Sequence, residues 1–355
     1  MRLLDSGPGG GGRVAPATRW RADDWDRRPP GTPLLVLRAL GLGDALTAVP
    51  ALRGLRRRFP GRPLVLAAPA PLGRWLQGLG VVDDVVDTRW VRAVGDVPPG
   101  LRLGEHDAVC LHGRGPRSHA ALLAAGPRLL LGYATTTADG TRLAGPAWDP
   151  DEHEVARWCR LVAAVGADAD AGDLRLPVRP GTGGLGDRPV VLHPGAASPA
   201  RCWPVRRWAL LARALVAAGH RVVVTGSAGE RPLANAVVAA ADLPAAALLA
   251  GRTDLDGLAG LVGAAAVVVC GDTGVAHLAT ALGTRSVVLF GPVPPSRWGP
   301  AVDVDRHTVL WRGEGLEGRG DPHGTSADPD LLSITLDEVL DAATAQLAAA
   351  DAVRR

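Results

Sequence analysis

The sequence predicts an α/β protein built from two doubly wound parallel-sheet domains that face each other across a cleft. The apolar run Leu34–Leu37 is followed by the glycine turn 41–44 and then by a helical pattern, and the run 266–270 is followed in the same way by residues 271–278. Each is a strand–turn–helix unit of the kind that opens a nucleotide-binding fold. The two units lie too far apart for one such fold, and 355 residues fit about two domains.

Strands and helices alternate through the first half of the chain. Short apolar runs predict strands at 34–37, 64–68, 108–112 and 129–132, and helical spacing predicts helices at 44–58, 71–79 and 117–125. Pro50 lies inside the first of these helices, so we expect a kink there or a later start. Acidic residues at 149–154 predict the start of another helix that runs to about Val165. This alternation implies a parallel sheet with right-handed crossovers.

The alternation resumes after a Gly/Pro/Asp-rich segment at 166–188, which we interpret as the interdomain linker. Strands are predicted at 189–193, 221–225, 246–249, 266–270 and 286–290, and helices at 204–218, 230–241, 255–263, 274–282 and 336–350. The Gly- and Pro-rich residues 1–30 are expected to be flexible or loosely attached. We therefore divide the chain into an N-terminal segment 1–30, a first domain 31–180, a second domain 181–335 and a C-terminal helix 336–355.

The composition limits the class of protein. The four cysteines lack CxxC spacing, which predicts neither a zinc site nor a disulfide framework and fits a reducing compartment. The sequence has neither a signal-peptide pattern nor an apolar run near the roughly 20 residues of a membrane span, so we expect a cytoplasmic protein. Because no basic–aromatic stripe is present, nucleic acid is not an expected partner.

The charge is unevenly distributed. Residues 1–150 hold 20 Arg against 13 acidic residues, whereas the rest holds 19 against 23. A basic front half fits an anionic acceptor or peripheral contact with the inner face of a membrane, and a solvated face is the alternative. The candidate membrane patch consists of Arg53, Arg56, Arg57, Arg58 and Arg62.

Glycine turns after the predicted strands supply candidate ligand-binding residues. At 271–278, free backbone N–H groups and a helix dipole would face a phosphate, with Asp272, Thr273 and His277 beside it. In the block 191–204, Gly195 permits a close backbone approach, and Arg201 is placed to pair with phosphate oxygens. Each residue also has an ordinary structural interpretation, as a turn former, a core histidine or a solvated arginine.

Two carboxylates follow glycine turns and have two interpretations each. Asp44 follows Gly43 and is either a general base for an acceptor hydroxyl or a helix N-cap. Glu230 begins a helix after the turn 226–229 and either accepts hydrogen bonds from a ribose or base, or caps that helix.

Taken together, these motifs resemble glycosyltransferase family 9, the ADP-heptose:lipopolysaccharide heptosyltransferase family. In chain order, from about residue 33 to residue 350, the matching motifs are Arg38…Leu42-Gly43-Asp44…Pro50, His193-Pro194-Gly195…Arg201…Trp203-Pro204, Gly226…Glu230, Asp272-Thr273-Gly274…His277-Leu278 and Phe290-Gly291-Pro292. The resemblance implies a GT-B fold of two Rossmann-like domains whose C-terminal helix crosses back to the first. It also implies an inverting reaction that needs no metal and no other cofactor.

The resemblance also implies residue roles. Asp44 would be the catalytic base, with Gly43 and Arg38 on the acceptor side. The donor, ADP-heptose, would be bound by Gly195, Ser198, Arg201, Glu230, Asp272, Thr273, Gly274 and His277. The acceptor would be a hydroxyl of a glycan or glycolipid in lipopolysaccharide biosynthesis. Arg201 stands where the family usually has a lysine, and Ser198 supplies the hydroxyl after a turn that otherwise contains Ala.

Two other functions remain open at this point. A nucleotide-dependent oxidoreductase or epimerase would also use strand–glycine turn–helix units, but Leu46 occupies the third glycine position of the G-x-G-x-x-G pattern that starts at Gly41. A non-catalytic sugar-nucleotide-binding protein is the other alternative, which the presence of Asp44 disfavours.

Overall fold

The computed structural model describes residues 22–88, 105–138, 140–178, 188–313 and 320–352.

The first lobe contains a five-stranded parallel sheet. The strands are β1 Leu34–Leu37, β2 Leu64–Ala68, β3 Asp84–Asp87, β4 Asp107–Cys110 and β5 Leu130–Leu131, in the order β3-β2-β1-β4-β5. The helices are α1 Ala22–Asp26, α2 Leu42–Thr47, α3 Val49–Arg58, α4 Ala70–Gly78, α5 Pro116–Ala124 and α6 Glu154–Ala163. A short antiparallel pair, β6 Thr135–Thr136 and β7 Arg142–Leu143, lies outside the sheet.

The second lobe repeats this architecture. Its strands are β8 Val190–His193, β9 Val222–Val224, β10 Val267–Gly271, β11 Ser286–Leu289 and β12 His307–Leu310, all parallel, in the order β12-β11-β10-β8-β9. Its helices are α7 Val205–Ala217, α8 Arg231–Ala240, α9 Leu255–Ala264, α10 Gly274–Leu282, α11 Pro295–Trp298, α12 Pro329–Ser333 and α13 Leu336–Ala352. A membrane-spanning helix needs a long apolar stretch, and none of the helices among the described residues has one.

One hydrophobic core joins the lobes. The central strands are apolar along their whole length because helices cover both faces of a parallel sheet. Val36 of β1, Val268 of β10 and Leu278 of α10 belong to the same buried cluster. Burial of apolar surface between the lobes therefore holds the two sheets together.

Two predicted elements differ from the observed ones. The helix predicted at 44–58 is divided at Ala48, and Pro50 lies in the first turn of α3, where its missing N–H costs no hydrogen bond; the predicted effect of Pro50 is confirmed. The prediction of a strand at 246–249 is wrong, because Ala245–Ala247 forms a 3₁₀ turn and a single β-bridge joins Leu248 to Val224. Alanine offers little side chain for packing on a sheet.

The C-terminal helix packs on the second sheet, so the prediction that it crosses back to the first lobe is wrong. Val339, Ala343 and Leu347 of α13 share a core cluster with Val190 and Val269. Arg285 also donates a hydrogen bond to Gln346 Oε1 at 2.8 Å. The apolar face of α13 completes the helical layer that α7 begins on that side of the sheet.

The segment before the first sheet is partly folded onto it. Trp25 in α1 is 1% exposed, and the centre of its ring lies 6.0 Å from the centre of the Phe59 ring. Arg28 Nε donates a hydrogen bond to Asp107 Oδ2 at 3.0 Å. The expectation of loose attachment is therefore wrong for residues 22–30. Residues 1–21 lie outside the described residues.

Candidate active site

The glycine turns of the two lobes are in direct contact. A Cβ atom at Gly43 would lie 2.7 Å from His277 Cδ2, and a Cβ atom at Gly274 would lie 3.0 Å from the backbone nitrogen of Gly43. Only glycine, which has no side chain, permits so close an approach. The helices α2 and α10, which contain these turns, pack on each other. The structure thus brings Asp44 to the same crevice as the 272–277 segment, as the sequence predicts.

Asp44 is held in position by Arg38. Nη2 of Arg38 donates to Asp44 Oδ1 at 3.3 Å, and Nε donates to the Asp44 carbonyl oxygen at 2.8 Å. Burial raises the pKa of the Asp44 carboxyl; Arg38 opposes this shift, and the negative charge of Glu154 adds to it. A raised pKa strengthens a carboxylate as a proton acceptor.

Arg38 itself is enclosed behind Asp44. Its side chain is 1% exposed, and its guanidinium lies 4.7 Å from the centre of the Trp158 ring. Its other hydrogen-bond acceptors are Leu111 O, Thr47 Oγ1 and Glu154 Oε1. These contacts occupy the guanidinium and keep it behind Asp44 in the first lobe, so the placement of Arg38 on the acceptor side stays a prediction.

Glu154 is a site residue that the sequence reasoning missed. It begins α6, is 4% exposed, and accepts hydrogen bonds from Arg38 at 3.0 Å and from Trp158 Nε1 at 2.9 Å on the same oxygen, Oε1. Its Oε2 accepts a hydrogen bond from Arg157. The spacing of Glu154 and Trp158, four residues apart on one helix face, was the available signal that the acid points inward.

On the donor side, Arg201 pairs with Asp272. Nη1 of Arg201 lies 3.4 Å from both Oδ2 and the carbonyl oxygen of Asp272, which is 5% exposed. Burial raises the pKa of Asp272, Arg201 opposes that shift, and Asp44 adds to it. The Nε atom of Arg201 is buried and has no hydrogen-bond partner among the described residues.

The start of α10 supplies further polar groups. Thr273 is the N-cap, but its side chain makes no capping hydrogen bond, so it does not occupy the N–H groups of the first turn. His277 is 8% exposed, and its ring lies 5.8 Å from that of Trp298 in an edge-to-face arrangement. Burial, together with His153 and Arg38, lowers the pKa of His277 to about 4, so this imidazole is neutral at pH 7.

Gly195 and Glu230 lie side by side at the ends of β8 and β9. The space that a Cβ atom would fill at Gly195 is occupied by the carboxylate of Glu230, with Oε1 nearest. Oε2 of Glu230 accepts a hydrogen bond from the Ser227 backbone N–H at 2.7 Å. The carboxylate therefore caps its own turn with one oxygen and directs the other toward Gly195.

Ser198 is placed differently from the prediction. It is 6% exposed, and its hydroxyl donates a hydrogen bond to the Pro322 carbonyl oxygen at 2.5 Å. A hydroxyl has one proton to donate, and here the protein backbone receives it. The structure therefore does not support a hydroxyl hydrogen bond from Ser198 to a donor phosphate.

The arginine cluster at 53–62 is paired within the first lobe. Arg53 donates to the backbone carbonyl oxygens of Asp173 and Arg175. The other four arginines pair with carboxylates: Arg56 with Asp83, Arg57 with Asp173, Arg58 with Asp26 and Arg62 with Asp107. Four of these arginines pair with carboxylates, whereas Arg53 meets only uncharged carbonyl oxygens, so membrane contact through this cluster stays a prediction.

The candidate site lies where the crevice of an open α/β sheet is expected, at the carboxyl ends of the strands. Two cavities, of about 620 and 440 Å³, lie at the amino-terminal ends of the strands of the second sheet, at the edge of that sheet opposite to the candidate site. Within the described part of the chain, no group of three or more His, Cys, Asp or Glu residues is placed to hold a metal. Metal independence remains a prediction.

Comparison with known sequences identifies similar proteins. A family model described as glycosyltransferase family 9 (heptosyltransferase) matches residues 143–316. Lipopolysaccharide heptosyltransferase 2 of Escherichia coli K12 is 34% identical over 166 residues, which are 45% of this chain and 47% of that protein. Lipooligosaccharide heptosyltransferase 2 of Haemophilus influenzae is 33% identical over 165 residues, 44% of this chain and 47% of that protein. The chain thus spans about half the length of the curated relatives it matches.

Solved structures extend the similarity over both lobes. The E. coli ADP-heptose lipopolysaccharide heptosyltransferase II structure is 25% identical, with a TM-score of 0.74 over 90% of this chain and 100% of that one. A family 9 glycosyltransferase from Veillonella parvula, 18% identical, superposes with a TM-score of 0.73 over 91% and 99% of the two chains. With the two parallel sheets, these matches confirm the predicted GT-B architecture of two Rossmann-like lobes.

Proposed function

The chain belongs to glycosyltransferase family 9, and we propose that it is an inverting glycosyltransferase. In this proposal it transfers heptose from ADP-heptose to a hydroxyl of a glycan or glycolipid acceptor of lipopolysaccharide type. The reaction takes place in the cytoplasm, with a lipid-linked acceptor presented at the inner face of the membrane. The single observation that carries the proposal is the contact of the Gly43–Asp44 turn with the start of α10.

Asp44 is the proposed base. An acceptor hydroxyl is a weak nucleophile at neutral pH, and a carboxylate within hydrogen-bond reach takes its proton as the oxygen attacks the anomeric carbon. The bond from that carbon to the diphosphate breaks in the same displacement, so the configuration at the anomeric carbon inverts. ADP leaves with the bonding electron pair, and Asp44 later releases the proton to solvent.

The second lobe stabilises the departing diphosphate. Arg201 brings a positive charge and a buried, unpaired Nε–H group, which a phosphate oxygen would satisfy. The N–H groups at 273–275 and the positive end of the α10 dipole act on the same charge. Asp272 acts through Arg201, which it orients by their contact at 3.4 Å. These groups support a reaction without a metal ion.

The remaining donor contacts are to the nucleoside and the sugar. The Glu230 oxygen that faces Gly195 is a suitable acceptor for a ribose hydroxyl. His277 is buried and neutral, so it offers a hydrogen bond without adding a positive charge beside the base. The similarity to ADP-heptose lipopolysaccharide heptosyltransferase II supports adenosine as the nucleoside and heptose as the sugar.

A donor screen tests this proposal. Thermal shift is measured with ADP-, GDP- and UDP-sugars and with NADH, and transfer to lipopolysaccharide-core acceptors is followed by mass spectrometry with and without EDTA. We expect ADP-heptose to raise the melting temperature most, since a ligand that binds the folded state stabilises it, and transfer to persist in EDTA. Tight, saturable NADH binding would instead favour an oxidoreductase or epimerase, and donor binding without transfer or hydrolysis would favour a non-catalytic binding protein.

A further inference from the structure

Glu154 is a buried anion that the proposed transfer reaction does not use. It is 4% exposed and shares the guanidinium of Arg38 with the proposed base. A buried carboxylate is stable only when it is paired and hydrogen-bonded. Glu154 meets this condition through Arg38, Trp158 and Arg157, which together engage both of its oxygens.

Arg38 is shared between two carboxylates. Its Nη2 atom lies 3.0 Å from Glu154 Oε1 and 3.3 Å from Asp44 Oδ1. The shorter contact is the one to Glu154, so the positive charge of Arg38 is only partly available to Asp44. Glu154 also adds a negative charge near Asp44, and both effects favour the protonated form of Asp44.

The same turn that carries Glu154 contacts the second lobe. His153 accepts the Val155 N–H on Nδ1, so Nε2 carries the proton and donates it to the Gly299 carbonyl oxygen at 3.0 Å. Asp151 pairs with Arg297. The start of α6 therefore contacts Arg38, which holds Asp44, and it also contacts the segment 297–299, which places Trp298 against His277.

We propose that Glu154 is a positioning residue that sets the orientation and the proton affinity of Asp44 through Arg38. This inference rests on the proposed function, because it assigns Glu154 to the same reaction. Among the described residues, the charged groups that act on Asp44 are Arg38 and Glu154 from the first lobe. From the second lobe, Asp272 interacts with the charge of Asp44, and the His277 ring faces the neighbouring Gly43.

The test compares the pH dependence of kcat/KM for the wild type, Glu154→Gln and Glu152→Gln. Glu152 is the matched control, because it pairs with Arg160 on the outer side of α6 at 2.7 Å. We expect Glu154→Gln to move the acidic limb to lower pH by about 0.5–1 unit and to lower the plateau, since the base becomes weaker. Glu152→Gln should leave the limb in place. A Glu154→Gln profile with a lower plateau and an unmoved limb would overturn the proposal.

Two further variants keep the test decisive. Glu154→Asp retains the charge, so its limb should stay in place even where kcat falls. Arg157→Gln removes the cation at Oε2 and should move the limb to higher pH, which tests the proposal if Glu154→Gln does not fold; an unmoved limb in Arg157→Gln would then overturn it. If the wild type transfers no sugar, the proposed function fails; if it transfers and no limb moves, only the role of Glu154 fails.

Discussion

Gly43 and His277 approach each other so closely that a Cβ atom at position 43 would lie 2.7 Å from Cδ2 of the histidine. This contact joins the turn that carries Asp44 to the first turns of α10. The distance between the proposed base and the proposed phosphate site therefore depends on two glycines, Gly43 and Gly274, rather than on flexible side chains.

We expect Gly274→Ala to separate the two turns and to lower kcat/KM by about 10- to 100-fold. The added methyl group would lie 3.0 Å from the Gly43 nitrogen and 2.9 Å from Leu42 Cβ. Displacements of about 1 Å can cost about 100-fold in rate. Steady-state kinetics measures the effect, and Gly61→Ala is the control, because a Cβ atom there has its nearest neighbour at 3.7 Å. Equal kcat/KM in the two variants would contradict the importance of this contact.

Replacement of Arg201 should weaken donor binding more than it affects folding. Arg201→Gln removes a charge-assisted contact to phosphate worth about 1.5–3 kcal/mol, which corresponds to roughly 10- to 100-fold in the Kd for ADP. Arg201→Lys should recover part of the affinity, since it restores the charge without the planar geometry. Isothermal titration calorimetry measures Kd, with the exposed Arg206→Gln as the control. An unchanged Kd in Arg201→Gln would remove Arg201 from the donor site.

The stability of the protein should depend on pH through His307, which lies away from the site. Burial lowers the pKa of His307 to about 4, so between about pH 6.5 and pH 4 the unfolded state binds a proton that the folded state does not. The contribution of the neutral His307 side chain to the free energy of unfolding is fully present above pH 6.5 and is lost as the pH falls toward 4. In His307→Gln this loss should be smaller, by up to about 1.4 kcal/mol per pH unit.

Urea unfolding of wild type and His307→Gln at pH 7, 6 and 5 measures this difference. The gap in the free energy of unfolding between the two proteins should change steadily in favour of the variant as the pH falls. A constant gap across this range would mean that His307 titrates normally in the folded state.

The sequence was most informative where the signal is local. The turns at 41–44 and 271–278 follow apolar runs directly, and their glycines indicate where backbone must approach a ligand or another turn. Pro50 likewise predicted the division between α2 and α3, because proline limits the helix by its own covalent geometry.

Features that depend on packing between distant segments could not be predicted. Arg38 meets Glu154 116 residues later in the chain, and this contact helps to hold the guanidinium behind Asp44. The apolar stripe of α13 predicts a helix but does not specify which sheet it covers. The Ser198 hydroxyl donates its hydrogen bond to the carbonyl oxygen of Pro322, a partner 124 residues away.

The most direct test of the account is the transfer rate of Asp44→Asn, measured by mass spectrometry with ADP-heptose and an acceptor that the wild type uses, together with the Kd for ADP. The substitution keeps the shape of the side chain and the backbone carbonyl that binds Arg38, so ADP affinity should remain within about 2-fold. Transfer should fall by about 10²- to 10⁴-fold, the usual contribution of a general base. An Asp44→Asn protein that transfers sugar at the wild-type rate would contradict the assignment of Asp44 as the base.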